Sequence, residues 1–223
     1  MFVSCADVAC TTTSTPVTID DAGDELGTYI SMKVGVDGRP VIMYADERSG
    51  AIKVAHCVYV HCTAGVASKM PVDYAGVGCY GEFPELDISP LNGFPILSYF
   101  NQTNKTSGAL RITQCGDAGC IDPSLRTSQT VLTGKCGFGR DSSIAIGGSR
   151  RAPRLFVSFL DYNGDGAAKR ASLAILKPVP GSRGAGATPL HVQWGVSEEG
   201  DAPSPPDGGK DDICKTGKRF TPE

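Results

Sequence analysis

The feature that most constrains this chain is an internal repeat marked by cysteines. Cys5 and Cys10, Cys57 and Cys62, and Cys115 and Cys120 share the spacing C-x4-C. The residues leading into each pair correspond: Phe2-Val3-Ser4-Cys5, Val54-Ala55-His56-Cys57 and Ile112-Thr113-Gln114-Cys115. A second shared block precedes the later two pairs. It reads Asp37-Gly38-Arg39-Pro40-Val41-Ile42-Met43-Tyr44-Ala45-Asp46, then Asn92-Gly93-Phe94-Pro95-Ile96-Leu97-Ser98-Tyr99-Phe100-Asn101. A weaker third copy holds Pro153 and Val157-Ser158-Phe159-Leu160-Asp161. Cys57 follows Cys5 by 52 residues and Cys115 follows Cys57 by 58. A unit of that length cannot bury its apolar face alone and must stack on its copies.

Each unit divides into four strands. Ile30, Met32, Val34 and Val36 alternate with other residues, which predicts a first strand with that face buried. Asp37-Gly38 and Asn92-Gly93 have the chemistry of two-residue hairpin turns, where positive φ is needed. Val41 to Tyr44 reads as a second strand, Glu47 to Gly50 as a polar turn, and Ala51 to His56 as a third strand. A fourth follows each cysteine loop: Val17-Thr18-Ile19-Asp20, Pro71-Val72-Asp73, and Thr130-Val131-Leu132. Tyr44, Tyr99 and Phe159 recur at one phase of the unit, as core residues do. No dozen-residue window keeps a helical period, and 28 Gly and 15 Pro supply the punctuation that many short strands require.

Four strands per unit is the arithmetic of β-propeller blades, so the expected fold is all-β, with about three four-stranded antiparallel units plus a leading half. The expected units are 1–26 (partial), 27–77, 78–136 and 137–196, followed by a disordered Pro/Gly/Asp-rich tail over 197–223. A closed ring takes at least four blades, so the chain is read as a fragment of a larger ring. The pattern D-G-x-P-x-I-x-Y-x-D followed by C-x4-C resembles the disulfide-stapled propeller repeats of secreted and cell-surface proteins, over roughly residues 1–176. It is more distantly similar to sialidase-type propellers, without their S-x-D-x-G-x-T-W turn motif.

His56-Cys57-Val58-Tyr59-Val60-His61-Cys62 also holds a zinc-like ligand set. The sister unit keeps the cysteines but has Gln114 and Gly119 where His56 and His61 stand, so the pairs read as disulfides. Each closes a small ring worth roughly 2 kcal/mol by loop-closure entropy. Cys79 and Cys136 stand one repeat apart and invite a cross-blade bond. Of nine cysteines, Cys214 is then left for a partner outside the chain. Such cysteine usage belongs to an oxidising compartment, extracellular or cell-surface. The N-terminus has no signal peptide, so the sequence reads as a mature or internal portion of a longer product.

A net charge of −3 argues against a nucleic-acid or anionic-membrane binder, and no run approaches the ~20 apolar residues of a membrane span. Arg150, Arg151 and Arg154 read as a solvated loop. Asp161, Asn163 and Asp165 match the start of a calcium loop, D-x-N-x-D-G, although Ser172 stands where the closing Glu belongs and an ordinary turn has the same chemistry. No other cofactor is expected. Asn101 and Asn104 open two glycosylation sequons in a lengthened turn. No G-x-S-x-G elbow, H-E-x-x-H or phosphate loop is present. Glu82, Glu85 and Asp87 read as surface charge, and His191 and Trp194 as packing. The expectation is therefore a non-catalytic binding or scaffolding module for a protein or glycan. The alternatives are a fragment of a sialidase-like glycoside hydrolase and a calcium-stabilised adhesion module.

Overall fold

A computed structural model of the 223-residue chain describes residues 1–21, 26–74, 83–104, 107–135, 139–149, 152–163, 168–178 and 194–201. Among the described residues, twelve strands form three four-stranded antiparallel sheets, each in simple meander order. The first blade holds β1 (Leu26–Val34), β2 (Pro40–Asp46), β3 (Ala51–Cys57) and β4 (Val66–Tyr74). The second holds β5 (Glu85–Ile88), β6 (Pro95–Asn104), β7 (Ser107–Gln114) and β8 (Thr127–Lys135). The third holds β9 (Arg140–Ser149), β10 (Ala152–Asn163), β11 (Ala168–Pro178) and β12 (Trp194–Asp201). Residues 1–20 form a small ribbon with bridges Phe2–Val17 and Cys5–Thr13. The architecture is a partial β-propeller, in which β5 packs against β1, and β9 against both β5 and β6.

Blade faces stack into three cores. Val41, Met43, Ile52 and Val54 of the first blade meet Leu86, Leu97 and Tyr99 of the second. Ile96, Leu110 and Ile112 of the second meet Ile144, Leu155, Val157 and Phe159 of the third. Phe2 and Ile19 of the leading ribbon cover Ile42, Tyr44 and Ala55. Each such aliphatic or aromatic side chain contributes about 1.5–3 kcal/mol by leaving water. The expected face of the first strand is corrected: Ile30, Met32, Val34 and Val36 are exposed, and the opposite residue Ser31 is buried against the second blade. Alternation identified two faces but could not say which one the neighbouring blade would cover.

Three disulfides close at the repeated cysteines, with Cα separations of 4.8, 4.9 and 5.0 Å. In each ring the second cysteine turns the chain back in the left-handed region: Cys10 at φ 54, Cys62 at 51 and Cys120 at 54. Carboxylates organise two of the rings from within. Asp7 accepts from the Thr11 and Thr12 amides, and Asp117 from the Gly119 and Ile121 amides. Main-chain and hydroxyl hydrogen bonds from Thr11 hold the Asp7 carboxyl below its ordinary value. The three disulfides are bonds that form and persist in an oxidising compartment.

Two other expectations are corrected. The Asp37-Gly38 and Asn92-Gly93 turns exceed two residues, since Val34 pairs with Pro40 and Ile88 with Pro95. Asp37 and Asn92 each accept the amide two residues on, while Gly38 and Gly93 take φ of 76 and 77. The boundary at 196/197 falls inside β12, which pairs with β11 as far as Asp201. The Pro, Gly and Asp content from Ser197 onward made that stretch look like a tail. An outermost strand, however, is held mainly by main-chain pairing along one edge, which polar composition does not reveal.

Candidate functional site

Charged and polar side chains gather in two kinds of place, the seams between blades and the inner rim. At the first seam, the Tyr44 hydroxyl donates to Asp20 at 2.7 Å, and Lys53 Nζ lies 3.2 Å from Asp20 and 3.0 Å from Asp46. Lys69 adds a contact of 3.1 Å to Asp20 from the adjacent strand. Burial and the Asp20 carboxylate push the Tyr44 phenol far above its ordinary value. Burial alone would raise Asp46, but hydrogen bonds from Lys53 and Ser49 outweigh it and hold Asp46 low. For Lys53, burial is likewise overcome by hydrogen bonds to Asp46 and Asp20, which raise it.

The second seam repeats this arrangement. Tyr99 donates to Asp73, Arg111 Nη1 lies 3.1 Å from Asp73, and the Tyr99 and Thr113 hydroxyls are 2.8 Å apart. Sheet register makes the correspondence strict. Tyr44 pairs with Lys53, Tyr99 with Arg111 and Phe159 with Ser172. Asp73 stands opposite Ile52 and Leu132 opposite Leu110, one residue before the respective cation positions. The third seam therefore carries Leu132, Phe159 and Ser172 where the second carries Asp73, Tyr99 and Arg111.

The inner rim is built by β1, β5 and β9. Each of these strands has a non-glycine residue in the left-handed region near its start: Tyr29 at φ 52, Phe83 at 55 and Asp141 at 50. Such residues cost of order 1–3 kcal/mol and concentrate where local geometry serves a site. The Tyr29 and Phe83 rings lie 4.5 Å apart at a tilt of 57°. Glu85, two residues beyond Phe83, accepts from the Ser31 hydroxyl at 3.0 Å. Asp87, two residues further on, accepts the Ile146 amide at 3.0 Å and lies 4.0 Å from Lys33 Nζ. Ser142 joins the rim at 3.1 Å from Ser98, and Arg140 stacks over Phe100 at 5.8 Å. Glu85 and Asp87 are thus half-buried links between inner strands, which corrects their reading as surface charge. Alternating with Leu86 and Ile88 in the sequence, they looked like the wet side of an ordinary strand. Glu82 lies outside the described residues.

The remaining candidates are placed as follows. Asp161 and Asn163 pair with Arg170 and Ala168 at the far end of β10, and Asp165 lies outside the described residues. No group of three metal-binding side chains forms among the described residues. His56 Nε2 lies 2.9 Å from Asp37, while His61 is exposed on its ring. Asn101 is buried within β6 rather than in an exposed turn, because the β6–β7 hairpin continues to Asn104 and Ser107. Arg154 belongs to β10, while Arg150 and Arg151 lie outside the described residues, as do Cys79, Cys136, His191 and Cys214. No described helix is long and apolar enough to cross a membrane.

No protein-family model and no curated protein matches the chain. Solved structures do. An alpha-L-arabinofuranosidase from Lactobacillus brevis aligns with TM-score 0.49 and 8% identity, covering 78% of this chain and 53% of that one. An alpha-L-arabinofuranosidase from Fusarium graminearum gives 0.47 and 11%, covering 81% and 49%. A Penicillium chrysogenum alpha-L-arabinanase gives 0.45 and 11%, covering 75% and 51%. The chain spans about half the length of these structures, and identities so low bear on fold alone. The expectation of a non-catalytic binding or scaffolding module is corrected to this extent: the three matched structures are described as arabinofuranosidases and an arabinanase, so the comparisons back the glycoside hydrolase alternative better.

Proposed function

We propose that this chain acts as a secreted glycoside hydrolase of propeller type, and that its inner rim holds the catalytic carboxyl groups. The observation that carries the reading is the placement of Glu85 and Asp87, two half-buried carboxyl groups on one face of an innermost strand beside the Tyr29–Phe83 ring pair. Residues i and i+2 of a strand lie about 6.6 Å apart, near the separation that admits a water between two carboxyl groups flanking a glycosidic bond. Ring faces suit the apolar face of a sugar. The three disulfides fit export, and a glycan is the substrate class.

The test is hydrolysis of a panel of 4-nitrophenyl glycosides, pentofuranosides included, by the purified chain. At least one should turn over, and Glu85→Gln and Asp87→Asn should each lower kcat by about 10²–10⁴-fold without altering the folded-state circular dichroism. Sugar binding without turnover, or turnover that survives both substitutions, would contradict the proposal.

A further inference from the structure

The two half-buried carboxyl groups on β5 are held from neighbouring blades, and by different sets of donors. Glu85 pairs with Ser98 and Asp87 with Ile96, one and three residues before the seam aromatic Tyr99. The equivalent residues are Ser31 and Lys33 on β1, and Ser143 and Ala145 on β9. Stacking therefore does not require a carboxyl group at either position, since the sister blades pack with serine, lysine or alanine there. The second blade carries both.

Glu85 meets one donor among the described residues. The Ser31 hydroxyl, 8% exposed, accepts the Leu86 amide at 3.2 Å and gives its single proton to Glu85 Oε1 at 3.0 Å. Oε1 is thus fixed as an acceptor, and Oε2 is the oxygen able to carry a proton. Asp87 meets three donors. Its Oδ1 accepts the Ile88 amide at 2.9 Å and lies 4.0 Å from Lys33 Nζ, while its Oδ2 accepts the Ile146 amide at 3.0 Å. A proton on either oxygen of Asp87 would oppose a donor already in place. Of the roughly four accepting sites on a carboxylate, one is left for a water. Besides Lys33, the charged or titratable groups on the strands packed against β5 are Tyr29 on β1, Tyr99 on β6, and Arg140 and Asp141 on β9. Tyr99 gives its hydroxyl to Asp73, and Arg140 lies over the Phe100 ring.

We infer that Glu85 is the proton donor of the rim, that Asp87 is the carboxylate receiving the proton of the attacking water, and that Ser31 is the positioning residue of Glu85. This assignment rests on the glycosidase reading given above. Glu85 Oε2–H protonates the glycosidic oxygen as its bond to the anomeric carbon breaks and the bonding pair stays on that oxygen. Water adds to the anomeric carbon and yields its proton to Asp87. Exchange with solvent then returns a proton to Glu85 and leaves Asp87 ionised. The first blade sets the acid, and the first and third together hold the anion.

The test compares two leaving groups on one sugar: the 4-nitrophenyl glycoside that the chain turns over best, and the methyl glycoside of the same sugar. Nitrophenolate departs without a proton and methoxide does not. Glu85→Gln should therefore lose about 10²-fold more kcat on the methyl than on the nitrophenyl glycoside, whereas Asp87→Asn should lose the two equally within about threefold. Ser31→Ala should lower kcat on the methyl glycoside about tenfold with KM held within about twofold, and Ser31→Thr, which keeps the hydroxyl, should restore it to within about threefold. Leaving-group sensitivity found in Asp87→Asn instead, or equal in both carboxyl variants, would overturn the assignment and leave the glycosidase reading standing. Equal losses from Ser31→Ala and Ser31→Thr, both folded by circular dichroism, would overturn the part given to Ser31. A parent chain that turns over no glycoside would overturn the reading and the assignment together.

Discussion

The second and third seams of this molecule solve one packing problem with opposite chemistry. Between the first and second blades, Asp73 takes the Tyr99 hydroxyl and the Arg111 guanidinium. Between the second and third, Leu132 packs on the apolar cluster that includes Phe159, and Ser172 replaces the cation. All three members change together, and together they must. A buried carboxylate without its cation, or a phenol without its acceptor, is costly, whereas a complete ionic set and a complete apolar set can be of similar worth. The leading seam, with Asp20, Tyr44 and Lys53, is of the ionic kind. A repeat protein can thus change the chemistry of a seam while keeping its geometry, provided that the whole set moves at once.

The largest effect expected is from breaking the ionic set at one member. Asp73→Ala strips Tyr99 and Arg111 of their acceptor and should lower unfolding free energy by about 3–5 kcal/mol in urea titration. A loss below about 1 kcal/mol would mean that the seam is ordinary surface pairing. The reverse intrusion is smaller. Phe159→Tyr sets a hydroxyl against Leu132 instead of a carboxylate and should cost about 1–3 kcal/mol, although the same change in the other direction, Tyr44→Phe, should cost only about 1 kcal/mol.

The smallest effect is in the pH profile of the first seam. Asp46 is held below its ordinary value, so its contribution is complete above the unfolded value of about 3.9 and is lost as pH falls through the lower folded value. Lys53 is held above its ordinary value, so its contribution is complete below about 10.4 and is lost as pH rises through the higher folded value. Lys53→Met should flatten the alkaline limb of a stability–pH curve. It should also shift the acid loss to higher pH, because Asp46 loses its partner. Among the described residues the third seam has no such ionic set, so Ser172→Ala should leave both limbs unchanged.

The sequence was informative wherever the cause was short-ranged. The cysteine rings and the Asp-Gly and Asn-Gly turns each lie within a few residues, and their recurrence along the chain, with that of Tyr44, Tyr99 and Phe159, led to the blade arithmetic. The seam sets were illegible because their members come from two blades. Asp73 and Arg111 become neighbours only once cross-blade register is known. Composition gave no hint that Leu132 and Ser172 belong to the same substitution as Phe159. The rim carboxylates Glu85 and Asp87 were misread for a related reason, since nothing local distinguishes an innermost strand from an outermost one. The alternation of Ile30, Met32 and Val34 identified a strand correctly, but its outward face was visible only once the blades were stacked.

The most direct measurement transplants one seam chemistry into the other. Asp73→Leu, Tyr99→Phe and Arg111→Ser combined give the second seam the residues of the third. If the blades are register-equivalent units, this variant should unfold within about 2 kcal/mol of the parent, far less than the summed single losses. Losses that simply add, leaving a chain unfolded in the absence of urea, would contradict the equivalence on which the seam comparison rests.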